Sequence, residues 1–348
     1  MNETADLHKD ITALLHEAGD YRIVSSIEQS KRIGNNRTYL INVGGTKYFA
    51  KHFFQDKDDQ RDRFHAEQSF ISYAEKVSPG FTPRILSVNA LQKLVLYEFI
   101  KGKPLQKGEI TGKEVAQAAL FFGKLNQRSF SDAAYHLPKA SEACFSINDH
   151  ISLIHHRIEQ LESIPTEPDE NRQALQTIQV IRNNWNKLTK SIHAQCLLHH
   201  LSTDEDLEEK YRILSPSDFG FHNALVKEDG NIVFLDFEYS GWDDPAKMIG
   251  DFFGQIQVPV PREYFAGFMN QALSGLLGEE QLTKRAEIMS PAFQIKWACI
   301  ALNVFLPVHL ARRKFASPQL DVKELKRGQL VKAEAILKNF QTYIDGIH

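Results

Sequence analysis

The chain has 348 residues, of which 42% are hydrophobic and 24% are charged, and its formal net charge is −3. This is the composition of an ordinary soluble globular protein, and it argues against a collagen, a disordered chain and a membrane bundle. The near-neutral charge supplies no basic field, so we expect no nucleic-acid partner. The length favours two domains or one large protein of two lobes.

The cysteines and the N-terminus indicate the compartment. Cys144, Cys196 and Cys299 are odd in number, far apart and without Cys-x-x-Cys spacing, which is not the pattern of a disulfide framework or a zinc site. The first residues lack a basic region followed by an apolar one, and no run of about 18 apolar residues occurs. We therefore expect a cytoplasmic protein without membrane contact.

Short β-branched and aromatic runs over residues 22–100 predict a sheet. Two runs, 38–43 and 46–51, flank Gly44 and Gly45, and this pair predicts a hairpin with a tight primed turn. Residues 60–77 follow a helical pattern, and the apolar run 94–100 ends at Lys101-Gly-Lys-Pro104. We place a boundary there, between a first lobe over 1–100 and a second over 101–348.

Helices dominate the second half. Thr111-Gly-Lys-Glu114 predicts a capping box that starts one of them. Further helices are predicted over 147–161, 171–192, 291–305 and 322–340, and a β-like island over 211–239 interrupts them. The second lobe is therefore expected to be mostly helical, with helices before and after the island along the chain.

Three polar residues of the island form a candidate metal site. Asp218 and Asn223 lie at either end of a tight polar segment, and Asp236 follows the apolar run Ile232-Val-Phe-Leu235. Mg²⁺ prefers such oxygen ligands together with substrate phosphates. Asp and Asn are also common turn formers that bond their own backbone, so these residues alone leave a structural role open.

The order of elements resembles the protein-kinase-like superfamily: Lys51 on a strand, Glu67 on the next helix, a linker, Asp-x4-Asn and a later Asp. The details resemble its aminoglycoside phosphotransferase and choline kinase branch over residues 22 to about 255. In that branch the metal loop reads Ile-Asp-Phe-Glu, followed by Gly-x-x-Asp-Pro. Here Leu235-Asp-Phe-Glu238 and Gly241-Trp-Asp-Asp-Pro245 are similar to it.

The resemblance implies a role for each matching residue. Asp218 would orient the acceptor hydroxyl and accept its proton, and Asn223 and Asp236 would hold Mg²⁺ between the phosphates of ATP. Lys51 would pair with the α- and β-phosphates, and Glu67 would be its ion-pair partner. As residue types alone, this lysine and glutamate are equally typical of solvated positions.

The resemblance also implies where the nucleotide binds. Asn35 and Asn36 lie in the turn that would cover the phosphates, because asparagine tolerates the left-handed backbone that exposes N–H groups. Phe49 shares a strand face with Lys51 and is expected to pack against adenine. The carbonyl of Glu98 and the amide of Ile100 are expected to bind the adenine edge.

Residues near the metal loop are candidates for further contacts. Glu238 stands where the branch often has a second acidic residue, and metal contact, acceptor contact and a structural role all remain open for it. Trp242 and Asp243 are expected to border the acceptor pocket, although Trp242 is equally a candidate packing anchor. His222 is either a phosphate or substrate contact or a packing residue of its loop.

The expected fold is α+β and bilobal, kinase-like, with an antiparallel sheet and one main helix in the first lobe. The expected activity is Mg²⁺-dependent transfer of the γ-phosphoryl group of ATP to a hydroxyl of a small molecule, such as a sugar, an amino sugar or an amino alcohol. Pro216 and Ser217 depart from the branch, which has His and Gly there. This departure keeps a second hypothesis open, a nucleotide-binding pseudokinase that acts as a regulatory or interaction module.

Overall fold

The structure is a computed structural model that describes residues 3–30, 36–54, 61–127, 136–167, 169–316 and 319–345. The described residues form ten strands and ten α-helices. The strands are β1 (Val24–Gln29), β2 (Arg37–Val43), β3 (Thr46–His52), β4 (Ile85–Asn89), β5 (Leu94–Glu98), β6 (Gly102–Pro104), β7 (Ile213–Ser215), β8 (Ala224–Lys227), β9 (Ile232–Phe234) and β10 (Gly241–Asp243). The helices are α1 (Glu3–Glu17), α2 (Arg63–Val77), α3 (Gly112–Leu125), α4 (Ile147–Glu162), α5 (Asp169–Leu198), α6 (Pro245–Gly254), α7 (Phe265–Leu273), α8 (Glu279–Leu302), α9 (Pro307–Ala316) and α10 (Val322–Asp345).

The first lobe is built on a five-stranded antiparallel sheet with the order β1-β2-β3-β5-β4. The β2–β3 hairpin turns at Gly44 and Gly45, whose φ angles are 52° and 85°. A primed turn needs positive φ at both central residues, and glycine adopts it without a Cβ clash. The predicted hairpin is therefore confirmed, and it places Lys51 near the end of β3.

Each face of this sheet packs against a different core. Along β5, Leu94 and Leu96 belong to the small cluster that α1 covers, whereas Val95 and Tyr97 belong to the larger cluster that α2 joins. This alternation is the two-residue period of a strand. Helix α1 is not among the elements predicted from the sequence, and it adds a second helix to the one expected in this lobe.

Capping residues determine where two predicted helices begin. The side chain of Asp62 accepts a hydrogen bond from the backbone N–H of His65 at 3.0 Å, so α2 begins at Arg63, later than predicted. At α3, the Glu114 carboxylate accepts from the backbone N–H of Thr111 at 2.9 Å, which completes the predicted capping box. Both helices thus begin where a side chain satisfies the free N–H groups of the first turn.

The second lobe surrounds two small sheets, β6-β8-β9 and β7-β10, with helices. Stacked phenylalanines join these sheets and loops to the helices. The ring centroids of Phe121 in α3 and Phe234 in β9 are 5.3 Å apart, and those of Phe219 and Phe252 in α6 are 5.1 Å apart. Such stacks bury large apolar areas at defined angles. They pack the predicted β-like island against α3 and α6.

The two lobes meet in one continuous core. Phe70 of α2 stacks on Phe237 with ring centroids 4.7 Å apart, and both residues belong to the larger cluster. Residues Gly102–Pro104, which lie at the predicted boundary between the lobes, form β6 and pair with β8 of the second lobe. The segment that follows the first lobe is therefore part of a second-lobe sheet.

Helix α8 is the longest apolar element of the core. Its predicted start at Pro291 is wrong, because the helix begins at Glu279 and contains Pro291 inside it. Among the described residues, the stretch Glu279–Phe305 has the length and apolar character of a membrane span, but 72% of its apolar window is buried inside the protein. A helix that is apolar because neighbouring helices cover it is a core helix.

Candidate active site

A cavity of about 820 Å³ lies between the lobes. Its walls come from β3 and β5 on one side and from the loops around Asp218 and Asp236, followed by α6, α8, α9 and α10, on the other. This volume falls in the range of small-molecule and cofactor sites.

Lys51 lies at the centre of a buried ion cluster that joins the lobes. Its Nζ is 2.6 Å from Glu67 Oε2 and 2.6 Å from Asp236 Oδ1, and it is 3.6 Å from Glu238 Oε2. Tyr97 Oη donates to the other oxygen of Glu67 at 2.7 Å. The structure thus brings Lys51 together with Glu67 and Asp236, which lie 16 and 185 positions after it in the sequence.

The cluster keeps Lys51 charged. Burial opposes the charge of this side chain, which is 7% exposed, but the carboxylates of Asp236, Glu67 and Glu238 outweigh burial and raise the pKa of Lys51. A permanently charged ammonium at the edge of a cavity is suited to bind phosphate oxygens.

Asp218 lies in a tight loop that follows β7. Its Oδ1 accepts from His222 Nε2 at 3.2 Å, and its Oδ2 accepts from Asn223 Nδ2 at 3.2 Å. Loss of solvent raises the pKa of Asp218, but the hydrogen bonds from His222 and Asn223 outweigh this effect and lower it. The carboxylate is therefore ionised at neutral pH, and its side chain is 37% exposed to the cavity.

The loop of Asp218 is tied to the loop of Asp236. The backbone N–H of Leu235 donates to the carbonyl of Asn223 at 2.8 Å, which sets the two loops side by side. Asn223 and Asp236 both line the cavity. Their amide and carboxylate oxygens are the ligand type that Mg²⁺ prefers.

The donor set fits a magnesium site that is completed by a substrate. Among the described residues, no group of three His, Cys, Asp or Glu side chains could hold a metal ion by itself. Mg²⁺ is typically bound by one or two carboxylates together with substrate phosphates and water. Asn223 and Asp236 would therefore hold it when the nucleotide supplies the remaining oxygens.

The residues predicted for the nucleotide line the wall formed by the first lobe. Phe49, Glu98 and Ile100 all border the cavity. Asn36 borders it as well, and its side chain donates to Glu238 and accepts from the backbone N–H of Phe54 at 3.0 Å. Asn35, with most of the predicted phosphate turn, lies outside the described residues.

The predicted acceptor contacts near the metal loop need revision. Glu238 borders the cavity, but on the Lys51 side, where it is 3.6 Å from Lys51. Asp243 is fully buried and pairs with Lys247 at 2.5 Å, because β10 directs it into the protein. Trp242 packs against the core and is not among the residues that line the cavity. The last two therefore have no direct access to an acceptor in this structure.

A family model described as the phosphotransferase enzyme family matches residues 31–279. This match covers more than half of the chain and includes Lys51, Glu67, Asp218, Asn223 and Asp236. The chain belongs to the phosphotransferase enzyme family. A search of curated proteins finds no match.

Solved structures show that the fold is that of small-molecule kinases. A choline kinase from Streptococcus pneumoniae is 15% identical, with 97% of this chain and 100% of that one covered and a TM-score of 0.57. A choline/ethanolamine kinase family protein from Mesorhizobium loti is 17% identical, with 96% and 94% covered and a TM-score of 0.58. A spectinomycin phosphotransferase in complex with ADP and spectinomycin is 13% identical, with 94% and 98% covered and a TM-score of 0.57. The expected kinase-like fold is confirmed.

The second-lobe part of this phosphotransferase cavity contains charged residues that the sequence analysis does not identify. Lys247 and Asp251 lie one turn apart on α6, and Lys296 of α8 donates to Asp251 at 2.8 and 3.0 Å. The available signal was a lysine inside an apolar stretch, because a lysine is rarely buried without a partner. The identity of that partner depends on the packing of α6 against α8.

Proposed function

We propose that this protein transfers the γ-phosphoryl group of ATP, in the presence of Mg²⁺, to a hydroxyl of a small molecule. The observation that carries the proposal is the position of Lys51: it lies 2.6 Å from Glu67 and 2.6 Å from Asp236, and all three line the cavity that Asp218 also borders. A phosphate-binding ammonium, a metal-binding carboxylate and an ionised carboxylate that can receive a proton are the parts that phosphoryl transfer requires.

The acceptor hydroxyl would bind at Asp218. The ionised carboxylate accepts a hydrogen bond from the hydroxyl, orients its oxygen toward the γ-phosphorus and takes its proton as the new P–O bond forms. His222 and Asn223 hold the carboxylate in place through their hydrogen bonds. Positioning of this kind accounts for much of the rate gain in phosphoryl transfer.

The nucleotide would bind against the first lobe. Phe49 would face adenine, and Lys51 would exchange its contact with Asp236 for phosphate oxygens while Glu67 keeps it oriented. Asn223 and Asp236 would hold Mg²⁺, which neutralises phosphate charge when it is bound.

The short connection after Asp236 supports a small acceptor. Only nine positions separate Asp236 from Pro245, the first residue of α6, and most of them are buried. This leaves no room for the long activation segment with which protein kinases bind a polypeptide substrate.

The test is a transfer assay with γ-labelled ATP and Mg²⁺ against pooled sugars, amino sugars, sugar acids and amino alcohols. Asp218→Asn is the matched control, and nucleotide binding is measured in parallel. Labelled product that depends on Asp218 would support the proposal. Tight ATP binding with no product from any pool would instead favour the pseudokinase hypothesis.

A further inference from the structure

The part of the cavity lined by α6, α8, α9 and α10, here named the acceptor end, is basic and amide-rich. It includes Lys296 and Arg313 together with the side-chain amides of Asn303 and Gln329. The Lys, Arg, Asp and Glu residues of these helices that line the cavity, among the described residues, are Lys247, Lys296, Arg313 and one acid, Asp251. The uncompensated charge at this end of the cavity is therefore positive.

Arg313 is the cation most available to a ligand. It lies on α9, it is exposed, and among the described parts of the chain no carboxylate pairs with it. A guanidinium presents a planar set of donors that matches the two oxygens of a carboxylate or phosphate. Arg313 can therefore bind an anion without first breaking an existing ion pair.

The carboxylates near the acceptor end are already neutralised. Asp251 accepts from Lys296 at 2.8 and 3.0 Å and from Trp297 Nε1 at 3.0 Å. Glu142 accepts from Arg157 at 2.5 and 2.6 Å; burial raises the pKa of Glu142, but the charge of Arg157 outweighs burial and the net shift is downward. Neither acid is free to bind a cationic amine.

One aromatic ring at the cavity already faces two cations. The ring of Tyr239 already faces the guanidinium groups of Arg61 and Arg63, at 5.6 and 5.4 Å from its centroid. A quaternary ammonium binds over an aromatic face, and this face of Tyr239 is therefore not open to one.

We propose that the acceptor is a small hydroxyl compound that carries an anionic group, a carboxylate or a phosphate, and that Arg313 binds this group while Asp218 binds the hydroxyl. The inference rests on the proposed function and specifies the substrate class of the same site. Arg313 is a specificity residue because it contacts the part of the acceptor that does not react.

The test compares small hydroxyl compounds of similar size that are negatively charged, neutral or positively charged. One set is glycerate, glycerol and 2-amino-1,3-propanediol, and a second set is glucuronate, glucose and glucosamine. Each set also includes one member that carries a phosphate group. Binding is measured by calorimetry with Mg²⁺ and ADP present, and transfer is measured with ATP. The acid members are expected to bind at least about ten-fold more tightly than the amines.

Matched variants assign the effect to Arg313. Arg313→Gln should weaken binding of the acids about ten-fold and change binding of the neutral compounds less than about two-fold. Arg327→Gln on α10 is the control, because Arg327 is exposed, pairs with Glu324 and does not line the cavity. Arg327→Gln should bind the acids and the neutral compounds as tightly as the wild type does.

The outcomes separate the two proposals. Tighter binding of the amines, equal binding of acids and amines, or no binding of the acids would overturn the anionic-acceptor inference and leave phosphoryl transfer intact as a proposal. Binding of the acids that depends on Arg313, without transfer to any compound, would support an anion site at Arg313 and count against the proposed phosphoryl transfer.

Discussion

Two residues of the active-site loops have left-handed backbone. The φ angle of Ser217 is 68° and that of Asp236 is 67°, values that are uncommon for residues with a Cβ. Each residue lies directly beside or at a predicted functional carboxylate, where backbone strain is often retained. The glycine that the related motif carries at the position of Ser217 has a physical explanation here, because glycine adopts this φ without a Cβ clash.

Ser217→Gly should therefore stabilise the protein. Relief of the positive φ outweighs the greater freedom of glycine in the unfolded chain, and we expect the free energy of unfolding to rise by about 0.5–1 kcal/mol. Denaturant unfolding measures the change. Ser217→Ala is the control, since it removes the hydroxyl and keeps the strain; equal stability of the two variants would show that strain is not the cause.

Asp218→Asn should abolish transfer and spare nucleotide binding. The amide retains the shape of the side chain but cannot accept the proton, so kcat should fall by about 10²–10⁴-fold. The dissociation constant for ATP should change less than about two-fold, because Asp218 is proposed to bind the acceptor and not the nucleotide. Asp206→Asn, an exposed change in the acidic run 204–209, is the control. Wild-type turnover in Asp218→Asn would remove this residue from the mechanism.

His222 should position Asp218. Its ring nitrogen holds Asp218 Oδ1 at 3.2 Å, and its side chain is only 6% exposed. Pro216, which replaces the histidine of the related motif, has no side-chain donor with which to give such support. His222→Ala should lower kcat about ten-fold with little change in the KM for ATP, because one hydrogen bond to a charged group is lost. His222→Gln, which keeps a donor, should restore part of kcat; equal loss in both variants would indicate packing alone.

At the scale of elements, Asp244 joins three helices of the second lobe. Its side chain caps α6 by accepting from the backbone N–H of Ala246 at 2.8 Å. The same carboxylate accepts from Arg285 of α8 at 2.7 Å and contacts His150 of α4 at 3.0 Å. It is fully buried, so the packing of α6 against α4 and α8 depends on this one charge.

Asp244→Asn should destabilise the protein in a pH-dependent way. Burial raises the pKa of Asp244, but Arg285 and His150 outweigh burial and depress it well below its ordinary value. A depressed folded-state pKa adds stability above the unfolded pKa of about 3.9, and this stability is lost as the pH falls toward the folded pKa. Removal of one partner from a buried pair costs about 3–5 kcal/mol.

Chemical unfolding from pH 7 to pH 3 measures this effect. The difference between wild type and Asp244→Asn should be constant above about pH 5 and should shrink below about pH 4. The asparagine retains an N-cap oxygen, so the comparison isolates the charge. A difference that stays constant down to pH 3 would mean that the ion pair is not its source.

At the scale of the whole molecule, the loop of Asp236 links the two lobes. Asp236 pairs with Lys51 of the first lobe, and Phe237 stacks on Phe70 of the same lobe. A nucleotide bound between the lobes would contact both sides of this junction. Ligand binding to the folded state alone should therefore appear as stabilisation of the whole protein.

ATP with Mg²⁺ should raise the unfolding temperature, and Asp236→Asn should remove the Mg²⁺-dependent part of that rise. At a ligand concentration of 100 times Kd, binding adds about 2.7 kcal/mol. The unfolding temperature is measured with ATP in the presence of Mg²⁺ and again in the presence of EDTA, and the difference is the Mg²⁺-dependent part of the rise. Asp6→Asn on the exposed side of α1 is the control. A variant Asp236→Asn with an unchanged Mg²⁺ effect would contradict the metal assignment.

The sequence by itself determined the local elements and the list of candidate residues. The glycine pair of the β2–β3 turn, the capping box at Thr111 and the apolar runs act through neighbours in the chain, so their signals are readable without a fold. The family motif likewise identified Lys51, Asp218 and Asp236. Helix α1 and the start of α8 were not anticipated, because only packing against the sheet and the core makes those boundaries clear.

The tertiary structure alone decided which charges face one another. Lys51 and Asp236 meet because the loop of Asp236 packs against the first lobe, and Lys296 and Asp251 meet because α8 lies against α6. It also turned Asp243 inward and left Arg313 at the cavity without a carboxylate partner among the described residues. The energy of an ion depends on its solvent exposure and on partners that are remote in the sequence, and only the packed fold brings them within contact distance.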